Sequence, residues 1–83
     1  MITVLYFAWM RERIDLSSEA IDVSGLSTVA DLIAHLRGKG ERYEAAFVDM
    51  KSVRIAVDQK MTDQAVPLAG VREVAFFPPM TGG

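Results

Sequence analysis

Thr28-Val-Ala-Asp-Leu-Ile-Ala-His-Leu-Arg-Gly-Lys-Gly40 holds the clearest structural signal in the chain. Val29, Leu32, Ile33 and Leu36 fall at i, i+3, i+4 and i+7, which puts one apolar stripe on a helix. Thr28 and Asp31 have the spacing of a capping box, with Asp in place of the usual Glu or Gln. Gly38 and Gly40 supply the stop. A helix with a single stripe buries one face only, so the flanking segments decide what it lies on.

On the N-terminal side, Met1 to Trp9 is rich in β-branched and aromatic residues. Ile2, Val4 and Tyr6 point one way and Thr3, Leu5 and Phe7 the other, a pattern suited to a central strand covered on both faces. If one helix covers the first face, Leu5 and Phe7 need a partner or a second layer. Arg11-Glu-Arg13 predicts a solvated turn or short helical connection, and Ala20 to Val23 a second strand antiparallel to the first. On the C-terminal side, Glu41 to Phe47 predicts a helical turn burying Tyr43 and Phe47. Val53 to Val57 reads as a third strand, followed by a polar turn at Asp58-Gln-Lys60 and a short edge segment near Met61. Pro67-Leu-Ala-Gly70 forms another turn, and Val71 to Phe77 the last strand. The order predicts an α+β fold, a mixed sheet with one main helix across one face. The first and last strands are the most apolar and belong side by side in the middle, parallel through the long crossover.

Length and composition narrow the function. Eighty-three residues make one domain with a small core. Hydrophobic residues make up 51% of the chain, and a small interior leaves part of that surface outside, which argues for a partner. Nine basic and eleven acidic residues are mixed along the chain for a net charge of −2, so no nucleic-acid footprint is present. The absence of cysteine removes disulfides, thiolate metal sites and cysteine nucleophiles. The single histidine cannot build a multi-histidine metal site. The apolar run from Ile2 to Met10 is too short to span a bilayer and lacks a preceding basic region, so the expectation is a cytoplasmic protein with no membrane role. His35 reads as a surface residue near the end of the helix. Ser17, Ser18, Ser24, Ser27 and Ser52 fit capping and turn roles, and none sits in a nucleophile elbow. Gly38-Lys-Gly40 follows a helix and does not open one, unlike a phosphate loop. Independent catalysis has no support.

The end of the sequence is different. Val74-Ala-Phe-Phe-Pro-Pro-Met-Thr-Gly-Gly83 begins as an apolar strand, passes through two prolines and reaches a diglycine. Pro78 and Pro79 each remove a backbone donor, which ends sheet pairing, and they favour extended geometry. The domain is therefore expected over 1–77 and an extended tail over 78–83. Six residues at about 3.1 Å each reach roughly 19 Å, and Gly82 and Gly83 lack side chains that would block a narrow channel. A terminal carboxylate delivered in this way is ionised at neutral pH and is a poor electrophile. Activation as a mixed anhydride with AMP would open its carbonyl to attack. The residues leave the attacking group open: a persulfide would give a thiocarboxylate, a thiol or amine a conjugate.

Phe76-Phe-Pro-Pro-Met-Thr-Gly-Gly83, preceded by Glu73-Val-Ala75, resembles the ending of the molybdopterin synthase small (sulfur-carrier) subunits. Val4-Leu-Tyr-Phe-Ala8 followed by Arg11-Glu12, Ala56-Val-Asp-Gln59 and Pro67-Leu68 extend that resemblance along the chain. It implies a ubiquitin-like β-grasp fold. It also implies that an ATP-dependent, E1-like activating enzyme adenylates the last glycine and that sulfur from a sulfurtransferase makes it a thiocarboxylate. The large synthase subunit then takes the tail into its active site, and sulfur passes to cyclic pyranopterin monophosphate to form the molybdopterin dithiolene. Carried onto this sequence, Gly83 is the sulfur carrier. Gly82, Thr81, Met80, Pro79 and Pro78 form the inserted tail, and Phe7, Met61 and Phe77 are the docking positions. No cofactor is expected on the chain itself, ATP being used by the activating partner.

Two stretches depart from the family pattern. Asp58 stands where Asn is frequent, and Gly70-Val-Arg72 stands where an acidic turn is common. A carrier for another pathway such as thiamine synthesis, a ubiquitin-like modifier joined through Gly83, and a binding module with an inert tail are the competing readings. Phe-Phe-Pro-Pro before the tail argues against the first.

Overall fold

The computed structural model describes residues 1–79. Five strands form one mixed sheet: β1 (Ile2–Tyr6), β2 (Ser18–Ile21), β3 (Arg54–Val57), β4 (Lys60–Thr62) and β5 (Glu73–Phe77). Their order across the sheet is β2-β1-β5-β3-β4. β1 and β5 run parallel at its centre, with Val4 opposite Val74 and Tyr6 opposite Phe76, and the other pairings are antiparallel. Among the described residues three α-helices accompany the sheet, α1 (Ala8–Ile14), α2 (Val29–Arg37) and α3 (Glu41–Phe47), with a short 3-10 turn at Met50–Ser52.

α2 follows from its sequence closely. Thr28 Oγ1 accepts from the Asp31 N–H while the Asp31 carboxylate accepts from the Thr28 N–H, a reciprocal capping box. Val29, Leu32, Ile33 and Leu36 are all buried. They pack in one cluster with Ile2, Val4 and Tyr6 of β1, Val74 and Phe76 of β5, and Phe47 of α3. Within it the Phe47 ring meets Phe76 edge-on at 4.9 Å between centroids. Fully burying a side chain of this size contributes roughly 1.5–3 kcal/mol.

Three expectations shift. The apolar run does not continue as a strand to Trp9: β1 ends at Tyr6, and Trp9 and Met10 belong to α1. Met10 and Ile14, four residues apart, are the buried stripe of that helix. β2 lies two residues earlier than its apolar pattern suggests, because Glu19 and Ile21 take the covered face there. Gly38 closes α2 in right-handed conformation, its N–H bonded to the Ala34 carbonyl, and Gly40 begins α3.

The β3–β4 connection is a two-residue hairpin turn. Asp58 and Gln59 both have positive φ, 47° and 72°, the geometry that matches the natural twist of paired strands. At the turn before β5, Gly70 has φ 76°, where a side chain would be strained, and the Val71 N–H bonds to the Leu68 carbonyl at 3.0 Å. Gly70, in the stretch that departs from the family pattern, thus closes this turn. Together these elements make a β-grasp: a mixed sheet covered on one face, with its longest helix lying across it.

Candidate functional site

Strand alternation sorts each strand's residues between the covered face and an open one. On β5, Val74 and Phe76 are fully buried on the helix side, so Ala75, which its neighbours leave only 8% exposed, and the half-buried Phe77 point to the other, open face. That settles which of the two adjacent phenylalanines looks outward. On β1, Leu5 is half-buried between the buried Val4 and Tyr6 and belongs to the open face. Phe7 follows in extended conformation, is 45% exposed, and donates its N–H to the Phe76 carbonyl at 3.1 Å.

One row crosses the open face through the strand register. Leu5 lies opposite Ala75, Ala75 opposite Ala56 of β3, and Ala56 opposite Met61 of β4. The two alanines make a low floor with larger side chains at both ends. Met61 stands 64% exposed on the outermost strand. One step along β5, Phe77 lies opposite Arg54. The structure therefore brings Phe7, Met61 and Phe77 to one face, although they are far apart in sequence. For Phe7 and Met61 the exposure rules out a core role within this chain. The sequence reading missed Ala56 and Ala75 as the floor and Arg54 as its neighbour, because only strand register reveals them.

Pro78 and Pro79 directly follow β5 and are half-buried. Met80, Thr81, Gly82 and Gly83, assigned to the tail from the sequence, lie outside the described residues.

Two polar clusters brace the sheet away from the open face. Asp58 Oδ1 accepts the N–H groups of Arg72 and Glu73 at 3.1 and 3.0 Å, and the Asp58 N–H donates to the Glu73 carbonyl at 2.9 Å. The hairpin carrying Met61 is thereby tied to the start of β5. At the opposite side, Glu19 of β2 accepts from the hydroxyls of Tyr6 and Tyr43 at 2.7 and 2.8 Å, and from Lys39 Nζ at 2.8 Å. Burial pulls the Glu19 carboxyl up, but the hydrogen bonds from Lys39, Tyr6 and Tyr43 outweigh it and hold the group below the usual carboxylate range. Burial, reinforced by the Glu19 carboxylate, drives the Tyr6 phenol far above its ordinary value, so it stays a neutral donor. Asp31 faces Ser27 and Thr28 at the head of α2, and its carboxyl is lowered by those backbone N–H groups. His35 is exposed in the last turn.

Among the described residues, no group of three His, Cys, Asp or Glu side chains is arranged to hold a metal ion, and no helix is long and apolar enough to cross a membrane. What the arrangement offers is an apolar sheet face, with Phe7 and Met61 exposed, beside the point where the chain leaves the sheet.

Comparison with known proteins agrees with this geometry. The ThiS family model matches residues 4–83. The molybdopterin synthase sulfur carrier subunit of Escherichia coli (strain K12) is 39% identical over 84 residues, with all of both chains covered. The protein of the same name from Haemophilus influenzae is 30% identical over 83 residues, again with both chains fully covered. The crystal structure of SAMP1 from Haloferax volcanii superposes with a TM-score of 0.75 at 22% identity, covering 99% of this chain and 98% of that one, a likeness of fold.

Proposed function

The chain belongs to the ThiS family, and from that premise we propose that it is the sulfur-carrier subunit of a molybdopterin synthase, acting in the cytoplasm with a large catalytic subunit. The observation that carries this reading is the position of Pro78, at the end of central strand β5 and beside the open apolar face. A partner that covers Phe7, Phe77 and Met61 would hold the domain while the following residues enter that partner. The two full-length relatives named as sulfur carriers support the same reading.

In this proposal an E1-like activating enzyme uses ATP to adenylate the Gly83 carboxylate, releasing pyrophosphate. The anhydride supplies the good leaving group that a carboxylate lacks. A persulfide on a sulfurtransferase then displaces AMP to give an acyl disulfide, and a thiol cleaves its S–S bond, forming a new disulfide and leaving the thiocarboxylate. The large subunit receives Met80, Thr81 and Gly82 in a channel, Gly82 offering no side chain to block it. The thiocarboxylate sulfur attacks cyclic pyranopterin monophosphate there, water hydrolyses the resulting thioester to return the Gly83 carboxylate and leave sulfur on the substrate, and a second charged carrier completes the dithiolene. The domain itself binds no cofactor; its role is to present one carbonyl and to withdraw.

Removing Gly83 tests this directly. In a reconstituted assay with the large subunit, activating enzyme, ATP and a sulfur source, the shortened chain is expected to form no molybdopterin while folding normally. Full molybdopterin formation by that variant would refute the assignment of Gly83.

A further inference from the structure

Met61 puts a thioether at the outer end of the row that crosses the open face through Leu5, Ala75 and Ala56. β4 is the outermost strand of the described sheet, and the residue opposite Met61 is an alanine, too short to shield it, so the side chain stands largely exposed. The chain holds its other methionines differently. Met10 is fully buried in α1, and Met50, at the 3-10 turn, packs half-buried against the core. Met1 is exposed, but it precedes β1 at the end of the sheet away from Pro78. An accessible thioether reacts with a hydroperoxide: the sulfur lone pair attacks a peroxide oxygen, the O–O bond breaks, water or an alcohol leaves, and a sulfoxide remains. That change turns a pliable apolar side chain into a polar acceptor. Ala56 and Ala75, next to it in the row, offer no side-chain donor to such an acceptor, so covering it there with an apolar surface is unfavourable.

We propose that Met61 is a redox-modification site: hydroperoxides convert it to the sulfoxide while the chain is free, and the sulfoxide opposes docking to the large subunit. This rests on the docking reading above and adds a modification that the same surface takes. The two events exclude each other by linkage, since a bound partner shields the sulfur and the oxidised sulfur weakens the partner's hold. The block is reversible. A methionine sulfoxide reductase returns the thioether as two thiols become a disulfide and the oxygen leaves as water.

The test treats the intact chain with hydrogen peroxide, removes the peroxide, maps the added oxygen by peptide mass spectrometry and measures equilibrium binding to the chain's own large subunit. Met61 is expected to oxidise well before the buried Met10. The oxidised chain is expected to bind roughly tenfold more weakly, to keep its unfolding midpoint, and to regain its affinity after treatment with the reductase. Met61→Leu, a swap that nearly conserves volume, should bind like the unsubstituted chain and keep its affinity through the same treatment, although its other methionines meet the same oxidant. Met61 oxidising no faster than Met10 would overturn the inference. So would a chain that carries the sulfoxide at Met61 and binds as tightly as before, or a Met61→Leu variant that loses as much affinity on treatment; each leaves the docking reading standing. Failure of the untreated chain to bind would overturn the docking reading and this inference with it.

Discussion

Glu19 joins three parts of the fold through one carboxylate. Its donors sit on β1, on α3 and in the link between α2 and α3, at sequence separations of 13, 24 and 20 residues. Replacing it with Ala would leave the hydroxyl of Tyr6, itself 1% exposed, without an acceptor. Glu19→Ala is expected to cost about 1–3 kcal/mol, read as a lower midpoint in urea with the slope unchanged. The sign of its pH dependence follows from the lowered carboxyl. The stabilisation is present above the unfolded carboxylate range, near about 4.3, and is lost as pH falls through the lower folded value. Acid titration of stability in the Ala variant should therefore be shallower below about pH 4 than in the unsubstituted chain. None of this was legible in the sequence. An acidic residue within a weak strand pattern reads as solvated, and its partners come from elements whose adjacency only the fold creates.

At the scale of elements, legibility followed the strength of the local pattern. The α2 stripe and its capping box lie within one short segment of nine helical residues and their cap, and they form as read. The parallel pairing of β1 and β5 followed from their shared apolarity, since a strand flanked on both edges is the one most shielded from water. The passage from β1 to α1 was not readable, because Phe7, Trp9 and Met10 suit a strand as well as a helix. The chain changes course at Ala8, which has φ 54°. Asp58 does more than occupy a turn position where Asn is frequent. Its carboxylate links the hairpin to β5, and an Asn carbonyl can accept the same two N–H groups. Asp58→Asn is expected to keep stability within about 0.5 kcal/mol. Asp58→Ala loses the acceptor and places a side chain with little tolerance for positive φ, and should cost about 1–2 kcal/mol. Thermal unfolding of the two variants side by side measures this.

Across the whole molecule, one sheet face is packed under helices and the other presents Leu5, Ala75, Ala56, Met61, Phe7 and Phe77. The sequence left Leu5 and Phe7 without cover; the register sets Leu5 in one row with Ala75, Ala56 and Met61. Met61 is the cleanest probe of their purpose, being 64% exposed and on the edge strand. Met61→Glu is expected to change folding stability by less than about 0.5 kcal/mol, as at an ordinary surface site. It should nevertheless weaken binding to the large subunit by roughly tenfold or more, because burying an unpaired carboxylate opposes association. An equal loss of stability and binding would place Met61 in the fold's own packing instead.

The face and the tail have a common purpose only if the carbonyl at Gly83 is charged with sulfur. Intact-protein mass spectrometry after incubation with the activating enzyme, ATP and a sulfur source measures that. The account predicts exchange of one oxygen for one sulfur, dependent on ATP and mapped to the C-terminal glycine. An unchanged mass under conditions where the activating enzyme turns over on this chain, or transfer of the chain to lysines of other proteins in place of that exchange, would contradict it.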